Sequence, residues 1–251
     1  MTVSVDPPDN SGIQPEHNTR PDWLLLEDGP LIAVNKPVGL LTEGPKNGPQ
    51  SIVNEIKTWI RETCNKPGNV YLGIPHRLDR ATSGVLVFGK NSKSSQRISD
   101  QFLKRTITKK YLAILEQPPQ PATGLLVDCL KKYPEQSRSE VVSATTEGAK
   151  EARLEYHTLQ QVAGGYLVAV TLLTGRTHQI RVQFASRDWP VLGDTKYGGQ
   201  VWPVPSKLQL PPERIALHAR SLTLKHPIRY DDVTIEAPLP GFWPPLSVPA
   251  A

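Results

Sequence analysis

His76-Arg77-Leu78-Asp79-Arg80-Ala81-Thr82-Ser83-Gly84 runs directly into Val85-Leu86-Val87-Phe88. The stretch sets one carboxylate between two guanidinium groups, follows it with a small-residue turn, and ends in an apolar run that reads as a buried strand. A carboxylate beside a guanidinium is favoured in its charged form, and a charged carboxylate can serve as a nucleophile or as an electrostatic anchor. It can equally be half of a structural ion pair at the start of a strand. The nine residues alone leave both readings open.

Outward from this block, the 251-residue chain is 38% hydrophobic and 21% charged, the balance of a globular protein long enough to bury a substantial core. No apolar run reaches the ~20 residues of a membrane-spanning helix. The first residues are polar and Pro-containing and lack the apolar core of a signal peptide. A flexible leader over residues 1–22, a folded unit over 23–245, a short tail over 246–251 and a cytoplasmic setting are therefore expected. Cys64 and Cys129 stand in no paired spacing, which argues against a disulfide framework or a Cys-based zinc site, and nothing suggests a metal. Lys and Arg outnumber Asp and Glu by 29 to 24, a net charge of +5 that is compatible with nucleic acid without requiring it.

The 25 prolines cluster in the leader, at Pro118-Pro119-Gln120-Pro121, between Pro203 and Pro212, and from Pro238 onward. Each cluster marks a loop or tail, because Pro lacks the donor that helices and central strands need. The cluster near residues 117–121 suggests a division between two lobes. Strands are expected at Leu31–Val34, Val85–Phe88, Tyr111–Leu115, Leu154–Leu159, Tyr166–Leu173, Leu217–Leu224 and Val233–Ala237. The turn Ala163-Gly164-Gly165 makes a hairpin of two of them. Ser51 can cap a helix carrying Ile52, Ile56 and Ile60, and Ser92 can open one carrying Ile98, Phe102 and Leu103. Thr177 can cap a third containing Ile180, Arg181 and Phe184. Strands outnumber helices, so the fold class is α+β, with a mixed, mainly antiparallel sheet and flanking helices.

The block around Asp79 resembles the signature of the RluA-type pseudouridine synthases. Five further segments follow that family's order: Asn35-Lys36-Pro37-Val38-Gly39, Lys110-Tyr111-Leu112-Ala113, Thr174-Gly175-Arg176-Thr177-His178-Gln179-Ile180-Arg181-Val182, Pro190-Val191-Leu192-Gly193-Asp194-Thr195-Lys196-Tyr197-Gly198, and Leu217-His218-Ala219 with His226-Pro227. Each is short, but the six together span nearly the whole folded region. The resemblance implies a two-lobed sheet around a central cleft and the isomerisation of uridine to pseudouridine in rRNA or tRNA, with no cofactor. It implies Asp79 as nucleophile, acting at C1′ or on the uracil ring, Arg181 as its cationic partner, and Tyr111 as the ring that stacks on the base or acts as general base. Arg77 would fill the gap left by a flipped nucleotide. Arg80, Thr82, Lys36, Arg176, His178, Lys109 and Lys110 are the further expected contacts to RNA. Too few residues precede Leu31 for the S4-type domain that several relatives carry, so a catalytic domain acting alone, as a monomer, is expected.

Two readings compete with catalysis of this kind. One is a protein on the same fold that binds RNA or helps assemble ribosomes without catalysing. The other is a carboxylate-based hydrolase, which would need a second acid beside Asp79, with Asp194 the only candidate.

Overall fold

Leu31-Ile32-Ala33-Val34 and Val85-Leu86-Val87-Phe88 are apolar without alternation because the sheet they form is covered on both faces. In the computed structural model, which describes residues 20–45, 50–65, 68–202, 211–212 and 214–246, these runs lie in β2 (Leu31–Lys36) and β3 (Ser83–Gly89). The two pair antiparallel, with β1 (Leu24–Asp28) on the outer edge of β2. Ile32, Val34, Leu86 and Phe88 point to one side and pack on α1 (Ile52–Thr63). Leu31, Ala33, Val85 and Val87 point to the other side, towards α2 (Ser92–Leu103). Ser51 caps α1 as expected, its hydroxyl accepting from the Asn54 amide, and Ile52, Ile56 and Ile60 are buried.

The other half is built from β4 (Thr108–Leu115), β5 (Thr123–Tyr133), β6 (Arg138–Val142), β7 (Lys150–Val162) and β8 (Gly165–Leu172), all paired antiparallel. The helix α3 (Gln179–Ala185) lies on it through Ile180 and Phe184. Ala163-Gly164 joins β7 to β8, the expected hairpin, with Val162 facing Gly165. One strand unites the halves. β9 (Leu217–Lys225) runs antiparallel to β4 along one edge. On its other edge it meets β3 over two parallel pairs, Ser83 with His218 and Gly84 with Ala219, and then pairs with β10 (Asp232–Glu236). The result is one ten-stranded, mostly antiparallel sheet. A bulge at Arg220 separates the two sets of partners, since Tyr111 faces Ala219 whereas Lys110 faces Ser221.

Ser92 opens α2 as expected, with Asn91 ahead of it as the cap, its side chain accepting from the Ser94 amide. Other local expectations need three corrections. Leu103 is 78% exposed instead of packed, because it lies in the last turn on the side away from Ile98. Thr177 does not cap α3; His178 occupies that position with φ +55 and no side-chain cap. The prolines near 118–121 link β4 to β5 within one half of the sheet, so the division between lobes falls at the β3–β9 junction. The expected leader and tail lie outside the described residues, apart from 20–22 and 246, as do Pro203 and Pro205. Among the described residues no helix is long and apolar enough to cross a membrane.

Candidate active site

Asp79 sits in the turn that feeds β3 into the junction, and the Asn35–Thr42 segment holds that turn in place. Thr42 Oγ1 both accepts from the Leu78 amide (3.1 Å) and donates to the Leu78 carbonyl (2.9 Å). Gly39 N donates to the Arg80 carbonyl at 2.8 Å, and Arg80 Nε returns a bond to the Gly39 carbonyl at 2.9 Å. Lys36 is fully enclosed, with Nζ donating to the carbonyls of Pro37, Leu40 and Arg80. Burial brings its pKa down to about 7, against the opposing pull of Asp79. Lys36 is therefore a brace between two loops and does not line the cleft, contrary to the expected contact with RNA. His76 accepts from the Val87 amide and stacks on Phe102.

From the other half of the molecule, α3 delivers Arg181. Its Nη1 donates to Asp79 Oδ2 at 3.1 Å, joining residues 102 apart in sequence. Its Nε and Nη2 grip Asp194 at 2.7 and 2.8 Å, a bidentate pair in which the guanidinium is 7% and the carboxylate 1% exposed. Burial by itself would lower the Arg181 pKa, but the bonds and charge of Asp194, then those of Asp79, more than reverse this. The guanidinium stays charged. The turn before α3 is locked by Gln179, whose Oε1 accepts from Thr174 Oγ1 and the Arg176 amide, the task that capping by Thr177 was expected to perform.

His178 Nδ1 lies 2.7 Å from Tyr197 Oη, and its Nε2 lies 3.8 Å from Asp79 Oδ2. Burial lowers its pKa more than Asp79 raises it, which leaves a neutral imidazole. Tyr111, on β4, packs against the apolar clusters of both halves and faces the same cleft. Burial, then the charge of Asp79, pushes its pKa up and keeps the phenol neutral.

These groups line a cleft of about 1520 Å³ between the lobes. Its other walls carry Arg77, Arg80, Arg105, Lys109, Lys132 and Lys196 against the acids Glu43, Asp79 and Asp194, so the surface offered to a ligand is cationic. Lys109 donates to the Thr174 carbonyl, and burial followed by the nearby Arg105 lowers its pKa to about 8. Lys110, its neighbour in the strand, projects from the opposite face of the sheet and is absent from the cleft lining. Arg176 lines the cleft while its Nε bonds the Glu151 carbonyl. Thr82 lines it too, buried, with an Oγ1 that meets no protein partner.

The structure thus brings Asp79, Tyr111, Arg181, Arg77, Arg80, Thr82, Arg176, His178 and Lys109 to one cleft and leaves Lys36 and Lys110 out of its lining. Sequence reasoning assigned no role to Thr42 or Tyr197 and treated Asp194 only as a possible second catalytic acid. Asp194 and Tyr197 stood inside the quoted Gly193–Gly198 string, but a Gly-Asp turn gives no local sign of what its carboxylate grips.

Residues 30–186 match the family described as RNA pseudouridylate synthase. The chain is 29% identical over 218 residues to the ribosomal large subunit pseudouridine synthase C of Buchnera aphidicola subsp. Baizongia pistaciae, covering 87% of this chain and 67% of that protein. It is 31% identical over 229 residues to the tRNA pseudouridine synthase C of Haemophilus ducreyi, covering 88% and 92%. Among solved structures, human RNA pseudouridylate synthase domain containing 4 superposes with a TM-score of 0.70 at 25% identity, over 87% of this chain and 89% of that one. The fold, the order of its motifs and the 157-residue match (30–186) agree: this chain belongs to the RNA pseudouridylate synthase family.

Proposed function

We propose that this enzyme converts uridine to pseudouridine in structured ribosomal or transfer RNA, with Asp79 as nucleophile, Arg181 as its partner and Tyr111 as the face on which the base rests. The observation that carries the assignment is the Asp79–Arg181 contact at the floor of a cationic cleft. The isomerisation breaks the bond from N1 to C1′, turns the uracil and closes a bond from C5 to C1′, while C5 loses a proton and N1 ends with one. Atoms balance without a cofactor. Attack by the carboxylate at C1′ releases the uracil as an anion, and attack on the ring saturates it before the sugar migrates. Either route needs a carboxylate held still with one oxygen open.

Tyr111, as a neutral phenol, can take the C5 proton only by giving up its own in the same step, so its ring is the part of the side chain this reading uses first. The cleft's lysines and arginines match a phosphate backbone, and a base extruded from its stack would reach Asp79 there. The proposed acting unit is a monomer. The continuous sheet from β1 to β10 supports residues 23–245 as one catalytic domain. The proposed setting is the cytoplasm.

The hydrolase reading loses its second acid, because Asp194 is sealed against Arg181. The test is release of tritium from C5 of labelled tRNA and large-subunit rRNA. Asp79→Asn is expected to abolish release with the thermal midpoint nearly unchanged. Turnover in that variant removes Asp79 from the nucleophile role.

A further inference from the structure

The short turn Asp194–Gly198 touches both of the groups that flank Asp79. Asp194 occupies Nε and Nη2 of Arg181, and the planar guanidinium then has its Nη1 edge facing Asp79. Tyr197 does the equivalent for His178. Its Oη accepts from the Ser139 amide at 2.9 Å, so its own hydrogen is available to His178 Nδ1 at 2.7 Å. With Nδ1 as acceptor, the imidazole proton lies on Nε2, which faces Asp79 Oδ2. The opposite tautomer would strand the phenol hydrogen and turn a lone pair towards a carboxylate. The Tyr197 ring is itself fixed between the guanidinium groups of Arg138 and Arg181, 5.3 and 5.0 Å from its centre. His178 is held at φ +55, a conformation that residues with a Cβ rarely adopt and one that keeps the ring over the site.

Both donors address the same atom. Arg181 Nη1 and His178 Nε2 converge on Oδ2, and among the described residues Oδ1 receives no hydrogen bond. We propose that Asp194 and Tyr197 are positioning residues: they aim Arg181 and the Nε2–H tautomer of His178 at one oxygen of Asp79 and thereby reserve Oδ1 as the oxygen that reacts. The inference rests on the reading of Asp79 as nucleophile and extends it to the choice of atom. His178 Nε2 stands 3.8 Å from Oδ2, near enough for its proton to face that oxygen and leave Oδ1 clear.

The test compares Asp194→Asn, Tyr197→Phe, His178→Ala and the double variant of the last two. Rates come from single-turnover tritium release on C5-labelled tRNA and large-subunit rRNA, with RNA affinity measured in parallel. Asp194→Asn is expected to slow release about 100-fold, and Tyr197→Phe and His178→Ala about tenfold each, with affinity within about twofold of the parent. Because Tyr197 acts through His178, the double variant should be no slower than His178→Ala. Nitrogen NMR of the imidazole, which needs no variant, should find the His178 proton on Nε2 in the unaltered enzyme. A proton on Nδ1, multiplicative losses in the double variant, or an unimpaired Asp194→Asn overturns the proposal. If Asp79→Asn is inactive while these variants run at the parental rate, only the positioning inference falls; if Asp79→Asn turns over, the nucleophile reading falls with it.

Discussion

Arg181 carries two obligations, and its substitutions should separate them. It bridges Asp79, which is 28% exposed, and Asp194, which is sealed. Arg181→Met would strand a buried carboxylate at a cost of about 3–5 kcal/mol, so lost activity in that variant would mix misfolding with chemistry. Arg181→Lys keeps the charge but offers a point donor in place of a fork. It is expected to fold with a modestly lower thermal midpoint and to lose at least about 100-fold in single-turnover rate, with RNA affinity little changed. A loss of affinity alone would make Arg181 a phosphate contact. Thr82 gives the opposite signature. Its buried hydroxyl lacks a protein partner, a deficit that costs roughly 1–3 kcal/mol when nothing relieves it. Thr82→Val should therefore raise stability by about 1 kcal/mol in urea titrations and, on the proposal that its hydroxyl bonds substrate, slow turnover about fivefold. A variant that gains neither stability nor a defect removes Thr82 from the substrate's surroundings.

At the level of elements, the β3–β9 junction is the narrowest and least forgiving part of the fold. Gly84 has φ +114, and a Cβ built there would stand 2.2 Å from the Ala219 carbonyl oxygen, a backbone atom with nowhere to move. Gly84→Ala should cost at least about 3 kcal/mol and separate the lobes that bring Arg181 to Asp79. Gly29, at φ +53 with nothing within 4 Å of a Cβ, supplies the control. Gly29→Ala should cost only about 1–2 kcal/mol, the penalty of the left-handed backbone. Equal losses of urea midpoint in the two variants would show that close packing at the junction is unimportant. Element by element, the strands with uninterrupted apolar runs and the helix with Ile52, Ile56 and Ile60 on one face were legible, because each buries a surface with a period visible in a few residues. β1, β5 and β6 were not read. β5 and β6 are half-exposed, with apolar and charged residues mixed along them, and they become strands only by pairing, β5 with β7 and β6 with β5.

For the molecule as a whole, acid is the informative stress. His218 is fully buried at the junction, its Nδ1 2.8 Å from the Ser83 hydroxyl, and burial lowers its pKa to about 4. The unfolded chain takes up a proton near pH 6.5 and the folded chain does not, so the stabilisation from a neutral His218 is complete above pH 6.5. It is lost as the pH falls towards 4, at a limiting rate of about 1.4 kcal/mol per pH unit. His76, with a pKa lowered to about 3 by burial and then by Lys109, acts in the same sense. Urea midpoints should fall between pH 6.5 and 5, before most carboxylates titrate. A flat profile there would mean that the junction admits a charged His218.

The sequence by itself determined the family, the order of the motifs, the α+β class and the identity of Asp79, Tyr111 and Arg181 as the residues to watch, because each lies in a short string whose chemistry and spacing are local. Only the tertiary structure decided what those residues touch. It turned Lys36 inward to brace two loops, sent Lys110 to the far side of its strand, and spent Asp194 on Arg181. The physical reason is separation: Asp79 and Arg181 stand 102 positions apart, and no periodicity along the chain encodes which carboxylates a guanidinium will meet once ten strands have closed into one sheet.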